Sequence, residues 1–94
     1  MRGIYKIINR NNGKYYVGSS TDLADRWREH KRHLRSGKHI NPKLLASWNK
    51  HGENVFYFVV MEEHPDATRT QLLEAEQKYL DIAKTEIPMT YNVR

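Results

Sequence analysis

The stretch GIYKIINRNNGKYYVGS, residues 3–19, decides the fold of this chain. Two apolar segments flank Asn12 and Gly13, and an Asn-Gly pair favours a tight turn because both residues tolerate a positive φ. The stretch therefore predicts a β-hairpin over residues 3–19. Tyr5 and Tyr16 lie near its outer ends, each with a glycine two residues away.

The length of the turn decides which way these tyrosines point, because side chains alternate between the faces of a strand. With an even number of residues in the loop, Tyr5 lies opposite an even-numbered residue, and Tyr16 and Gly18 share its face. An odd loop would separate the tyrosines. We expect the shared face. The alternative is that both are ordinary strand residues, since tyrosine favours strands.

Length and composition indicate one domain over residues 1–94, which we expect to be monomeric. The chain has no cysteine, which excludes a disulfide framework and a cysteine-based zinc site and fits a reducing compartment. No apolar run is long enough to span a bilayer, so we expect no membrane association. The start of the chain enters the first strand directly, which predicts no signal peptide.

The positive charge is concentrated in the first half of the chain. The formal net charge is +5. The tract 26–43 contains one acid, Glu29, against many cations, whereas residues 62–86 are mostly acidic; the cations are Arg26, Arg28, Lys31, Arg32, Arg35, Lys38 and Lys43. A basic first half indicates a polyanionic partner such as nucleic acid. A solvated basic helix face is the alternative.

A helix is predicted to follow the hairpin. Residues 19–22 begin with a hydroxyl that could cap the helix and end with an acid three residues later. Gly37 supplies a left-handed residue that would end the helix after Ser36. Its apolar stripe is formed by Leu23, Trp27 and Leu34.

Three polar side chains lie along one edge of that stripe. At 100° per residue, Arg26, His30 and His33 fall within about 60° of one another. We therefore expect them at the border between core and solvent, where clefts form. The alternatives are a surface cation for Arg26 and a hydrogen-bonded histidine at the core edge for His30.

A second helix and a third strand are predicted next. Asn41 and Pro42 suit the first positions of a helix that ends at residues 51–52. The apolar run 55–61 has the length and composition of a strand. Because it shows little polar alternation, we expect helices to cover it on both faces.

The last helix is predicted over residues 68–84, from a capping box at 68–71. Its apolar face is predicted to carry Leu72, Leu73, Tyr79, Leu80 and Ala83. On the same helical wheel Glu74 lies on the far side, whereas Glu76 lies within the apolar arc. A carboxylate aimed at the core is costly unless it is paired, protonated or bound to metal. A structural ion pair of Glu76 with Arg26 is the alternative to a functional role.

These elements predict an α/β fold of the α+β type. It consists of a small three-stranded antiparallel sheet flanked by about three helices, in the order β-β-α-α-β-α. The tail, residues 87–94, is expected to be extended because of its proline and β-branched residues.

The motifs together resemble the GIY-YIG nuclease family, and most closely the N-terminal catalytic domain of phage intron-encoded homing endonucleases. The resemblance covers nearly the whole chain and has one departure, Val17 for isoleucine. Several short matches occur in the family's order; they are Gly3-Ile4-Tyr5, Tyr16-Val17-Gly18, Asp22-Leu23 with Arg26 to His30, Lys50-His51-Gly52, Glu74-Ala75-Glu76 and Tyr91-Asn92.

The resemblance implies that the chain is a metal-dependent DNA endonuclease that hydrolyses phosphodiester bonds. It also implies one divalent metal, usually Mg²⁺, for which Mn²⁺ is a plausible substitute. The implied catalytic residues are Tyr5 or Tyr16 as general base, Arg26 on the scissile phosphate, His30 as an assistant and Glu76 as the metal ligand. The implied DNA or phosphate contacts are Arg26, Arg28, Lys31, His39 and Asn92, the last as a contact or as a support for the site.

The partner implied is DNA, and the implied location is the cytoplasm of a bacterium or phage host. In homing enzymes a linker and a separate DNA-binding region follow the terminal Tyr-Asn. The chain is therefore either an isolated catalytic domain or a small free-standing protein. A repair or restriction nuclease of the same family and a non-catalytic DNA-binding module are the alternative functions.

The chemistry of these residue types suits phosphodiester hydrolysis. Arginine offers a planar fork that fits phosphate, and one carboxylate leaves Mg²⁺ most of its waters. The hairpin glycines are expected to leave room for the DNA backbone. We expect one cleft on one face of the sheet to contain the catalytic set; its members are Tyr5, Tyr16, Arg26, His30 and Glu76.

Overall fold

A computed structural model describes residues 1–86 and 89–92 of the chain. The elements follow the predicted order. They are strand β1 Gly3–Asn9, strand β2 Tyr15–Ser20, helix α1 Leu23–Ser36, helix α2 Pro42–His51, strand β3 Phe56–Glu63, preceded by a short 3₁₀ turn Glu53–Val55, and helix α3 Arg69–Thr85. The predicted fold class is thus confirmed.

The hairpin has the even loop that the shared face requires. The Asn9 amide donates to the Lys14 carbonyl at 2.9 Å, and Gly13, at a φ of 74°, donates to the Asn9 carbonyl at 2.8 Å. Tyr5 consequently pairs with Gly18 and Tyr16 pairs with Ile7. The two tyrosines lie on one face of the sheet, as predicted.

The helices divide between the two faces of the sheet. Tyr5 and Ile7 pack into a core with residues of α1 and α2, whereas Ile4 and Val17 pack against α3. The alternation of side chains along β1 therefore assigns each helix to its face. The α1–α2 face is the one that carries Tyr5 and Tyr16.

The central strand of the sheet is β1, and β3 lies at one edge. The strand order is β2-β1-β3, with both pairings antiparallel. Only Phe56 of β3 is buried, and Met61 is 37% exposed, so the prediction that this strand is covered on both faces is wrong. An apolar run indicates burial of its side chains but does not tell how many strands flank it.

The helix ends follow the sequence with one exception. Asp22, and not a hydroxyl, caps α1, and its carboxylate accepts from the Asp25 amide at 3.1 Å. Gly37 ends α1 with a φ of 75°, as predicted. The cap of α2 by Asn41 and the capping box of α3 at Thr68 are also confirmed.

The apolar face of α3 differs from its prediction at one position. Leu72 and Ala83 are buried, and Tyr79 and Leu80 pack beside them, but Leu73 is 49% exposed. Leu73 lies one position from Leu72 and turns about 100° away from the contact with the sheet.

The tail contributes little regular structure among the residues that are described. Thr90 forms an isolated parallel bridge with Tyr15. The predicted extended tail also included Ile87, Pro88, Val93 and Arg94, which lie outside the described residues. Over the described ranges, no helix has the length and apolar character needed to cross a membrane.

Candidate active site

A chain of hydrogen bonds runs through the core on the α1–α2 face. The Tyr5 hydroxyl lies 2.6 Å from His30 Nε2, and His30 Nδ1 lies 2.7 Å from Nε2 of His39. The backbone amide of Asn41 donates to His39 Nδ1 at 3.0 Å. Three side chains from β1, α1 and the α1–α2 connection are thereby linked to one fixed backbone donor.

His30 is more deeply buried than its place on the helical wheel predicted. It is 2% exposed, and the ring of His39 stacks on it at 5.0 Å between centroids. The prediction that His30 lies at the border between core and solvent is therefore wrong. A helical wheel gives the direction of a side chain, but the segment that carries His39 covers it.

Both histidines are held neutral at pH 7. Burial, with the positive charge of Arg26 as the next cause, lowers the pKa of His30 to about 3. The same two causes lower the pKa of His39. A neutral imidazole has one N–H, so each ring must donate from one nitrogen and accept at the other.

The backbone amide of Asn41 fixes the direction in which each hydrogen bond from His39 to Tyr5 is donated. Because it donates to His39 Nδ1, the proton of His39 resides on Nε2 and is donated to His30 Nδ1. His30 then carries its proton on Nε2 and donates it to the Tyr5 oxygen. In this state Tyr5 is an acceptor toward His30, and its own proton is directed elsewhere.

Tyr16 lies beside the hydrogen-bonded row of Tyr5, His30 and His39 and lines an open cleft. Its ring is 5.4 Å from that of His30 between centroids, in an edge contact. The cleft has a volume of about 350 Å³ and is also lined by Ile40, Lys43 and Asn92. Burial raises the pKa of Tyr16 and also of Tyr5, and the charge of Arg26 opposes the rise in both.

Arg26 supplies the positive charge beside the two tyrosines. It projects from the first turns of α1, and its side chain is 30% exposed. Its guanidinium bonds the Glu29 carboxylate at 3.1 Å, so the considered ion pair with Glu76 is replaced by a pair within the helix. Such a pair is weak and leaves the guanidinium reachable.

Glu76 reaches the same region from the other side of the sheet. It is half-buried on α3, which packs against the face opposite the tyrosines, and it accepts a hydrogen bond from the Ser19 hydroxyl. The charge of Glu76 raises the pKa of both Tyr5 and Tyr16. The expectation of one cleft on one face is therefore wrong for Glu76, which approaches along the edge strand β2. Glu74 is exposed, as predicted.

The carboxyl groups suit a hard cation with few protein ligands. No cluster of three or more His, Cys, Asp or Glu side chains that could hold a metal occurs over residues 1–86 and 89–92. The Ser19 hydroxyl is bonded to one oxygen of Glu76, and the second oxygen could serve as a ligand for a cation. Mg²⁺ is commonly held by one or two carboxylates and its own waters, so Glu76 fits such an ion.

Packing within the protein explains why Gly3 and Gly18 of the hairpin carry no side chain, and the sequence did not reveal this. A Cβ at Gly18 would lie 2.3 Å from the Tyr5 hydroxyl oxygen, and a Cβ at Gly3 would lie 1.9 Å from the Glu62 carbonyl oxygen. Both spaces are filled by the protein, so the expectation that they leave room for DNA is wrong. The absence of a side chain at Gly18 seats the Tyr5 hydroxyl.

The remaining predicted contacts are more dispersed. Arg28 is exposed and pairs with Asp25 at 3.3 Å, and Lys31 lies over the Trp27 ring at 5.3 Å. Both polar groups of the Asn92 amide bond the backbone of Val17, at 2.6 and 2.9 Å. Asn92 thus fits the supporting role that was one of its two alternatives.

Two residues of this region were missed from the sequence. Ser19 directs the Glu76 carboxylate, and the backbone of Asn41 fixes the histidine protons. Ser19 directly follows Tyr16-Val17-Gly18 and could have been suspected from that position. The Asn41 amide carries no signal in the sequence, since any residue other than proline supplies the same donor.

Known proteins are similar to this chain in sequence and in fold. A family model described as the GIY-YIG catalytic domain matches residues 1–92. Intron-associated endonuclease 1 of Enterobacteria phage T4 is 49% identical over 63 residues, which make up 67% of this chain and 25% of that protein. The chain thus spans about a quarter of the length of this curated relative.

Two solved structures resemble the whole chain. The catalytic domain of homing endonuclease I-TevI superposes with a TM-score of 0.88 at 37% identity, over 100% of this chain and 99% of that one. A mutant of the catalytic domain of intron endonuclease I-TevI gives a TM-score of 0.86 at 38% identity, over 99% of this chain and 93% of that one.

Proposed function

The chain belongs to the GIY-YIG family, and from this membership we propose that it is the catalytic domain of a homing endonuclease that hydrolyses DNA phosphodiester bonds. One observation carries the proposal. The rings of Tyr5 and Tyr16 each contact the His30 ring, and the charges of Arg26 and Glu76 act on both tyrosine hydroxyls. The groups proposed as general base, phosphate ligand and metal ligand thus lie close enough to act on one another, which supports the proposal.

Arg26 is the proposed phosphate ligand. Its guanidinium is always charged and presents several N–H groups that match phosphate oxygens. Its present partner, Glu29, forms a half-exposed pair three residues along the same helix, which a phosphate can displace. Arg26 would then neutralise the charge that develops on the phosphoryl oxygens during hydrolysis.

A tyrosine is the proposed general base, and His30 assists it as a hydrogen-bond donor. Burial raises the pKa of both hydroxyls, which opposes formation of a phenolate. The His30 N–H directed at the Tyr5 oxygen and the charge of Arg26 both favour the phenolate. In the proton arrangement set by Asn41, His30 stabilises the ionised tyrosine and does not remove its proton.

Glu76 is the proposed holder of one divalent cation, Mg²⁺ or in its place Mn²⁺. The Ser19 hydroxyl orients this carboxylate, and its second oxygen is available as a ligand. A cation bound there would act as a Lewis acid and lower the pKa of a bound water.

The partner is proposed to be DNA in the host cytoplasm, with the chain acting as one monomeric domain. The T4 relative is about four times longer than the matched segment, which supports a separate DNA-binding region beyond this domain. The domain alone should therefore bind DNA weakly and discriminate among few bases.

Cleavage of supercoiled plasmid tests the proposal. The chain should produce nicked or linear DNA in Mg²⁺ and none in EDTA. Binding of DNA without any cleavage in Mg²⁺ or Mn²⁺ would favour a non-catalytic DNA-binding module instead. Faster cleavage of branched or lesion-bearing DNA than of plain duplex would favour a repair nuclease.

A magnetic resonance measurement tests the cation site without cleavage. Because Mn²⁺ is paramagnetic, substoichiometric Mn²⁺ should broaden the backbone signals of Ser19 and Glu76 first. The same signals should stay sharp in Glu76→Gln. Broadening that persists in this variant would place the cation elsewhere.

A further inference from the structure

A second groove lies between the hairpin turn and α2, outside the catalytic residues described above. It has a volume of about 440 Å³. Lys14 lines it from the hairpin, and Lys43 and Lys50 line it from the first and last turns of α2. His51 and the polar side chain of Asn12 complete its rim.

The groove continues directly from the cleft at Tyr16. Lys43 and Tyr91 line both depressions. A chain-like ligand that lies in the cleft can therefore extend past Lys43 and Tyr91 into the groove. This continuity distinguishes the groove from a basic patch elsewhere on the surface.

The charge of the groove is of one sign. Among the described residues, no aspartate or glutamate lines it. A depression on the exposed face of α1, lined by Arg28, Lys31, Arg32 and Arg35, also has no acidic lining residue among those described, but it shares no lining residue with the cleft at Tyr16. There Arg28 pairs with Asp25, and Arg35 makes two bonds to Glu53, at 2.7 and 2.5 Å.

We infer that the groove binds the phosphates of the DNA strand that flanks the scissile phosphate. The inference rests on the proposed function, because it assigns a path to the same substrate. Lys43 and Lys50 are separated by seven helical residues, or about 10 Å along α2. One DNA strand advances about 3.4 Å per nucleotide, so the groove spans about three phosphates.

Salt dependence tests the inference quantitatively. Each neutralised phosphate contributes about 0.9 to the slope of log affinity against log salt, so Lys14→Gln/Lys43→Gln/Lys50→Gln should lower the slope by about 2.7. Between 50 and 200 mM salt, wild-type affinity for a duplex should then fall about 40-fold more than that of the triple variant.

A variant of α3 with the same charge change is the matched control. Arg69→Gln/Lys78→Gln/Lys84→Gln removes three exposed cations from α3, outside both the groove and the catalytic region. It should keep the wild-type slope and the wild-type cleavage rate. Equal slopes for wild type and the groove variant, with cleavage by wild type intact, would overturn the groove and leave the proposed function standing. If the wild-type protein neither binds nor cleaves DNA, both the groove inference and the proposed function are contradicted.

Site-specific crosslinking gives a second test that needs only one exposed substitution. The chain has no cysteine, so Lys50→Cys and Lys78→Cys each provide a single attachment point for a photocrosslinker. The probe at position 50 should crosslink within a few nucleotides of the cut, and the probe at position 78 should not. Crosslinking from position 78 but not from position 50 would contradict the proposed path.

Discussion

The two halves of the candidate active site are built differently. Tyr5, His30 and His39 form a buried half, with exposures of 1%, 2% and 8%. Arg26 and Glu76 form an open half and are each partly exposed. The buried half consists of core residues that also function in a hydrogen-bond chain, whereas the open half supplies charge and little packing.

This difference separates stability from activity. A change in the buried half should lower both the free energy of unfolding and the rate of cleavage, because the same side chains fill the core. A change in the open half should lower the rate of cleavage and leave folding almost intact. The predictions below test that separation.

Substitution of Arg26 should slow cleavage strongly and have little effect on folding. Arg26→Ala should lower the cleavage rate by about 10²–10³, the usual cost of removing a group that stabilises transition-state charge. Its pair with Glu29 contributes only about 0.3–0.5 kcal/mol, so the urea midpoint should hardly change. Arg26→Lys retains the charge but not the planar fork and should recover only part of the rate. Full activity of Arg26→Ala would remove it from the site.

Gly18→Ala should damage the buried half without removing any functional group. The added Cβ would lie 2.3 Å from the Tyr5 hydroxyl oxygen, so Tyr5 must move and its bond to His30 must lengthen. We expect a loss of about 1–3 kcal/mol in the free energy of unfolding, as for other overpacked cores, together with slower cleavage. Urea denaturation and single-turnover kinetics on the same sample would show both; a normal rate would mean that the Tyr5–His30 bond is dispensable.

Low pH should lower the free energy of unfolding through the buried histidines, His30 and His39. The pKa of His30 is about 3 in the folded chain, and an unfolded histidine has a pKa of about 6.5. Below about pH 6.5 the unfolded chain therefore binds a proton that the folded chain does not, and the free energy of unfolding falls by up to about 1.4 kcal/mol per pH unit from His30 alone.

His39, whose pKa is also lowered, should steepen this fall. Urea midpoints between pH 7 and pH 4 measure it. The ring signals of His30 in a magnetic resonance titration should show no protonation down to about pH 4. Protonation of His30 near pH 6 would contradict the neutral state of His30, in which its Nδ1 accepts a hydrogen bond from His39 Nε2.

The hairpin and the helix ends could be predicted because their signals are local. Asn12-Gly13, the Asn41 cap and Gly37 each set the backbone within a few residues. The shared face of Tyr5 and Tyr16 followed from the same alternation once the loop was taken as even.

The errors arose where the answer depends on distant parts of the chain. The depth of His30 is set by the segment that carries His39, and the central place of β1 is set by how three strands pair. Glu76 was correctly distinguished from Glu74 on the helical wheel, but the face against which α3 packs is not encoded in α3 alone. A helical wheel or the alternation along a strand gives the direction of a side chain. Only the folded structure shows which residues that side chain contacts.

The most direct test of the account compares Glu76→Gln with Glu74→Gln in cleavage of a DNA duplex in Mg²⁺. The two residues lie two positions apart on α3, one half-buried against Ser19 and the other exposed. Glu76→Gln should abolish cleavage while DNA binding and the urea midpoint persist, and Glu74→Gln should cleave like wild type. Full cleavage by Glu76→Gln, or equal loss in both variants, would contradict the assignment of Glu76 as the carboxylate that holds the metal.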